Sequence, residues 1–181
     1  RGAVRAADFA VITVDAVSGV QVGTRRAWHI CKSHNLSSIA FVITGMDKEN
    51  ADFQKAVKSI RDVFGVNCVP VTAPTAPGVV GNILDADALP EGLAEIKTYL
   101  AESAAETDEK LMEKYFADGT LPANEIRAGL LAGIASGNTH PIYTTFALKG
   151  IGVKEMLDSI CRLLPGPGSR PFKDVDGNEQ K

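Results

Sequence analysis

Cysteine is scarce: Cys31, Cys68 and Cys161 are the only three in 181 residues, and no two of them form a Cys-x-x-Cys pair. That spacing excludes a disulfide scaffold and a zinc ribbon, and it suits reduced thiols in a cytoplasmic protein. Cys31 and His34 stand one helical turn apart with His29 nearby, but without a second pair of ligands no metal site is expected. No apolar run approaches the roughly 18 residues of a membrane-crossing helix, so no membrane partner is expected. Surplus positive charge is also missing. The net charge of −3 and pI of about 5.6 exclude a general polyanion-binding domain and give no reason to expect DNA contact. Position 1 is Arg, and no charged-then-apolar leader precedes the first apolar run, so the chain is expected to be a piece of a longer protein. What is present is ordinary for a folded chain: 45% hydrophobic and 23% charged residues, enough to bury a core.

Apolar runs and amphipathic stretches alternate. Residues 1–8 read as the tail of a helix. Phe9–Val14 is a near-continuous apolar run, the pattern of a strand covered on both faces. Thr24–His34 reads as a helix burying Ala27, Trp28 and Cys31, and Ile39–Ile43 as the next strand. After Asn50, the spacing of Phe53, Val57, Ile60 and Phe64 gives a helical stripe that Gly65 terminates. Strand–helix alternation of this kind predicts a parallel sheet with right-handed crossovers. Val69–Val71 and Val79–Leu84 then read as short strands, with residues 74–78 as a loop. Residues 91–136 read as almost wholly helical, with stripes at Leu93/Ile96/Leu100, Leu111/Met112/Tyr115/Phe116 and Ile126/Leu130/Ile134. Pro141–Ala147 restores a strand, and residues 153–164 a helix with Val153, Met156, Leu157, Ile160 and Leu164 facing inward. Pro165-Gly166-Pro167-Gly168-Ser169 reads as a linker, and Asp174–Glu179 as a hairpin rather than a calcium loop, because its acidic spacing is wrong for an EF-hand.

Four segments in order carry a family resemblance. Val14-Asp15-Ala16-Val17-Ser18-Gly19-Val20-Gln21-Val22-Gly23-Thr24 resembles the strand-to-helix segment after switch II of elongation factor G, a translational GTPase. Met46-Asp47-Lys48-Glu49-Asn50-Ala51-Asp52-Phe53 is similar to the stretch after its base-recognition motif. Residues 102–116, Glu-Ser-Ala-Ala-Glu-Thr-Asp-Glu-Lys-Leu-Met-Glu-Lys-Tyr-Phe, resemble a helix of its G-prime insertion, and residues 152–165 the last helix of its G domain. The resemblance implies an α/β fold: part of a P-loop GTPase-like three-layer domain with parallel strands, plus a mostly helical α+β insertion. Residues 1–65 and 137–165 are then a partial G domain, 66–136 the G-prime-like insertion, and 166–181 a linker towards a following domain.

The same resemblance implies a guanine site. Guanine presents two adjacent N–H donors, and one carboxylate accepts both in a charge-assisted pair. Asp47 stands at the carboxylate of the family's Asn-Lys-x-Asp motif, while Thr44 replaces the Asn and Gly45 the Lys whose stem would cover the base. In the second base loop, Phe146-Ala147-Leu148-Lys149 stands where relatives have Ser-Ala-Phe or Ser-Ala-Leu and then Lys. Ala147, whose N–H would meet the guanine carbonyl, and Lys149 are kept, and Ser has become Phe146. Thr44, Asp47, Ala147 and Lys149 are therefore the guanine-binding candidates; no catalytic residue and no metal ligand is assigned. No Gly-x-x-x-x-Gly-Lys-Ser/Thr phosphate loop occurs in the 181 residues, and the switch residues that hold magnesium and position water are missing as well. GTP or GDP and magnesium are thus expected for the parent protein, a GTP hydrolase. The isolated chain is expected to bind neither strongly and to be inactive.

The function implied is that of an elongation factor G-type GTPase in ribosomal translocation, with the ribosome as partner and the stalk protein meeting residues 91–136. Two other readings stand beside it: a ribosomal-protection or release-factor relative, and a catalytically silent ribosome- or stalk-binding module, supported by Thr44, Gly45 and Phe146. Lys55, Lys58 and Arg61 read as a solvated helix face.

Overall fold

The computed structural model describes residues 2–86, 90, 93–164, 166, 172–173 and 179–180. A short helix α1 (Gly2–Ala6) leads into β1 (Phe9–Asp15), α2 (Val22–Ser33), β2 (Ser38–Thr44) and α3 (Phe53–Phe64). Then come β3 (Cys68–Pro70), β4 (Thr72–Ala76), β5 (Val79–Asn82), α4 (Ala94–Ala105), α5 (Glu109–Asp118) and α6 (Ala123–Ser136). The chain returns through β6 (His140–Thr144), a 3₁₀ turn (Ala147–Lys149) and α7 (Val153–Leu163). Residues 172–173 and 179–180 pair as antiparallel strands β7 and β8. Most of the expected linker, and residues 174–178 of the expected hairpin, lie outside the described residues.

The main sheet is parallel throughout and ordered β1-β2-β6-β3. β2 is central, and its apolar run is buried from Ser38 to Ile43, as a strand covered on both faces requires. Side chains alternate across it. Phe41 faces α2 and α3, where Trp28 stacks on it at 5.7 Å between ring centroids and Phe64 at 5.0 Å. Buried Ser38, on the opposite face, donates its hydroxyl to the Ile134 carbonyl of α6 at 3.2 Å. Helices on both sides make three layers. His140 belongs to the aromatic cluster, edge-on to Trp28, with Nδ1 3.0 Å from the Ile39 carbonyl oxygen. Burial pushes its pKa down to about 4, so it is a neutral core residue.

Four expectations change. β1 is not covered on both faces: Ile12 and Val14 are buried, whereas Phe9 and Val11 are 36% and 38% exposed. β1 is an edge of the described sheet and α2 covers one of its faces. Residues 74–78, read as a loop, form the end of β4 and the turn of a β4–β5 hairpin, with a register shift between Pro74 and Ala76. An edge position tolerates the missing proline N–H. Phe116, placed on an apolar stripe, and Leu157, read as inward, are 78% and 51% exposed. On α7 the buried place is taken by Ser159, whose hydroxyl accepts a hydrogen bond from Asn82 of β5 at 3.1 Å. Arg61 is more than a solvated charge: its guanidinium lies 4.6 Å from the ring centre of Tyr99 on α4.

The helical block is not set apart from the sheet. Leu100, Ala104, Leu130 and Ile134 belong to the same buried cluster as Ile39, Phe41 and Ile142. α4 and α6 approach closely at Gly129, where a Cβ would stand 2.6 Å from the Ala104 carbonyl oxygen.

Candidate functional site

An open parallel sheet presents ligand-binding groups beyond the carboxyl ends of its strands, where loops leave the core and backbone amides are free to point outward. Here the ends of β1, β2 and β6 are tied together by main-chain bonds. Ala16 N–H donates to the Thr44 carbonyl at 2.9 Å, and Thr145 N–H to the Ile43 carbonyl at 2.9 Å. Two loops spring from this platform. The first is a turn in which Lys48 N–H donates to the Gly45 carbonyl at 3.1 Å. It places Asp47 two residues beyond Gly45, half-buried, with no hydrogen bond to its carboxylate among the described residues. Asp52, just after this turn, caps α3 by accepting from Lys55 N–H at 2.9 Å, which fixes where the loop ends.

The second loop follows β6. Phe146 N–H donates to the Ile151 carbonyl at 2.9 Å, and Lys149 N–H returns to the Phe146 carbonyl at 2.9 Å. This curls 147–149 into a 3₁₀ turn rather than the strand end expected at Ala147. Phe146 is buried beneath, while Ala147, Leu148 and Lys149 are exposed. Because Phe41–Ile43 pair with Ile142–Thr144, the loops holding Thr44 and Asp47 and those holding Ala147 and Lys149 leave adjacent strands. The structure thus places all four candidates on one rim. The Ala147 N–H makes no hydrogen bond among the described residues. A carboxylate and an amide, each without a hydrogen bond among the described residues and carried on loops of neighbouring strands, supply the acceptor and donor types that a guanine edge requires.

One constellation on the rim escaped the sequence reading. Asp15, at the end of β1, accepts from Val17 N–H at 3.1 Å and Ser18 N–H at 3.0 Å through Oδ1, and pairs with the Lys48 ammonium through Oδ2. Lys48 beside it, followed by the two amides, holds the Asp15 carboxyl down at about 2, against the modest opposing effect of burial. To reach Asp15, the Lys48 stem crosses Gly45. Gly45 has φ +74, and a Cβ built on it would meet Lys48 Cε at 3.0 Å, Lys48 Cδ at 3.2 Å and Asp15 Oδ2 at 3.2 Å. The only sequence signal was a strand-end Asp paired, through the fold, with a Lys next to Asp47.

Residues 1–166 match the family model described as the elongation factor Tu GTP binding domain. The chain belongs to that family. A translational GTPase G domain accounts for the parallel sheet, and guanine-nucleotide binding is a property of its parent family. Among solved structures, a protein from Thermus thermophilus is 27% identical and superposes with a TM-score of 0.79 over 94% of this chain. The chain spans 29% of the length of that protein. The fold is mixed α/β with a parallel four-strand sheet, that of part of a P-loop GTPase-like domain. No helix among the described residues is long and apolar enough to cross a membrane.

Proposed function

We propose that this chain is part of an elongation factor G-type translational GTPase acting in ribosomal translocation during protein synthesis, and that its rim recognises the guanine base. The observation that carries this reading is that an unengaged Asp47 carboxylate and an unengaged Ala147 amide follow adjacent strand ends of a translational GTPase domain. In the proposed site, Asp47 accepts both guanine N–H donors and Ala147 N–H donates to the base carbonyl. Lys149 borders the loop, and the Thr44 hydroxyl replaces a carboxamide. Phosphate and magnesium contacts are assigned to the longer parent protein, where magnesium would neutralise the developing phosphate charge. The isolated chain is proposed to be inactive in GTP hydrolysis. Residues 1–65 and 137–165 would form the G-domain part, 66–136 the G-prime-like insertion and 166–181 a linker. Ribosome binding, a stalk contact through 91–136 and a cytoplasmic location follow from this reading.

A second reading, a catalytically silent ribosome-binding module, draws support from the side-chain-free Gly45 and from Phe146 buried where relatives carry a hydroxyl. Ribosome-stimulated GTP hydrolysis by the parent protein, measured together with movement of bound mRNA, separates the two. Hydrolysis with movement is expected. Ribosome binding without nucleotide turnover would favour the silent module, and hydrolysis without movement would favour a protection or release role.

A further inference from the structure

We propose that Lys48 is the side chain that covers the guanine base in this protein, acting across the bare backbone of Gly45. The inference rests on the guanine-site reading above and adds a residue to it. Position 45 stands next to Thr44 on the rim and offers no side chain, so nothing of its own can shield a base bound at Asp47. Its left-handed φ of +74 makes an added side chain strained there, whatever the space. The space is filled instead by the Lys48 stem, whose Cδ and Cε lie 3.2 and 3.0 Å from where a Cβ would be.

The stem is held from its far end. An exposed ion pair is normally a loose contact. Asp15 is different, because two main-chain amides anchor its other oxygen and its carboxylate is therefore fixed before Lys48 reaches it. Lys48 N–H in turn closes the turn onto the Gly45 carbonyl, fixing the near end. A long side chain pinned at both ends presents its methylenes as a flat apolar strip while its charge stays in water, a use suited to lysine. Asp47 is adjacent in sequence, on the same turn, and its carboxylate makes no hydrogen bond among the described residues. One loop thus provides the hydrogen-bonding edge and the apolar cover together. Asp15 is a positioning residue in this arrangement.

The test is a titration of fluorescently labelled GDP into the full-length parent protein. Lys48→Ala should weaken binding by about tenfold to a hundredfold, the effect of losing one base-stacking side chain. Lys48→Met, which keeps the stem but gives up the Asp15 anchor, should recover part of that loss, and Asp15→Asn, which frees the far end of an intact lysine, should weaken binding less than Lys48→Ala. Asp47→Asn is measured alongside as the check on the site itself. If Asp47→Asn abolishes guanine preference but Lys48→Ala leaves GDP affinity unchanged, the covering role is overturned while the site stands. If Lys48→Met is as weak as Lys48→Ala while Asp15→Asn leaves affinity unchanged, the anchor is not needed and charge rather than stem is responsible, so the covering role is again overturned. If neither Asp47→Asn nor Lys48→Ala alters binding, the site reading fails and the inference fails with it.

Discussion

Gly129→Ala should destabilise the protein, although alanine is the better helix former. A Cβ at 129 would lie 2.6 Å from the Ala104 carbonyl oxygen, 2.8 Å from Ala104 Cβ and 2.9 Å from Ala104 Cα. Carbon contacts settle near ~3.5–4.0 Å, so α4 would have to retreat by roughly 1 Å. The obstructing atoms are mostly backbone, and no rotamer change relieves them. Overpacking of this kind costs about 1–3 kcal/mol, against about 1 kcal/mol gained from helix propensity. The net loss is up to roughly 2 kcal/mol, a fall in Tm of up to about 8 °C for a chain of this size. Gly23→Ala is the matched control. It is also helical and has nothing within 4 Å of a built Cβ, so it should raise stability by about 0.5 kcal/mol. Thermal unfolding followed by far-UV circular dichroism and by fluorescence of Trp28, the single tryptophan, reads both effects. Trp28 packs on Phe41 and Phe64, remote from Gly129 in sequence, yet these rings share one continuous core with Ala104, the residue Gly129 abuts. Both probes should therefore shift together. A Gly129→Ala protein more stable than the wild type, as Gly23→Ala should be, would refute the close-approach argument. A shift in circular dichroism with Trp28 unmoved would refute the shared core.

Asp52→Ala removes the α3 cap and should cost about 1 kcal/mol, read by denaturant unfolding. The Asp15 carboxyl is held down at about 2 by Lys48 and two amides, so its charged form stabilises the fold. That contribution is complete above about pH 4 and is lost as pH falls from there through 2. With the pair partly exposed it amounts to about 1 kcal/mol, and Asp15→Asn should flatten this limb of a stability–pH curve. Tyr143 is fully buried and its hydroxyl has no partner among the described residues. Tyr143→Phe should therefore leave stability unchanged or raise it by up to about 1 kcal/mol; a clear loss would reveal a partner for that oxygen. Of the three thiols only Cys161 is exposed, and burial pushes the Cys68 thiol up to about 12. Native protein should titrate one thiol quickly with a disulfide reagent, and three after unfolding.

Much of the fold was legible from pattern. β2 declared itself because burial on both faces demands an unbroken apolar run, and α3 because its stripe is regular and Gly65 terminates it; the Asp52 cap emerged only in the structure. β1 misled because the same kind of run also occurs on a strand with one neighbour, and composition does not encode which neighbours a strand has. Phe116 and Leu157 misled because helical spacing marks a face without naming what covers it. The β4 strand was hidden by Pro74, a residue that usually argues against pairing. At the rim, Asp47 and Ala147 could be located by resemblance to relatives. The Lys48–Asp15 link could not, because it joins residues 33 apart whose meeting depends on β1 and β2 pairing in register.

The most direct test of the guanine site is a change of base preference. Guanine carries an amino donor at C2 where xanthine carries a carbonyl, so a carboxylate suits the first and a carboxamide the second. In the parent protein, competition between GDP and xanthosine diphosphate should strongly favour GDP. Asp47→Asn should lower GDP affinity by about a hundredfold or more and reverse the preference. An unchanged ratio of the two affinities in the Asp47→Asn protein would contradict the assignment of this rim as the base site.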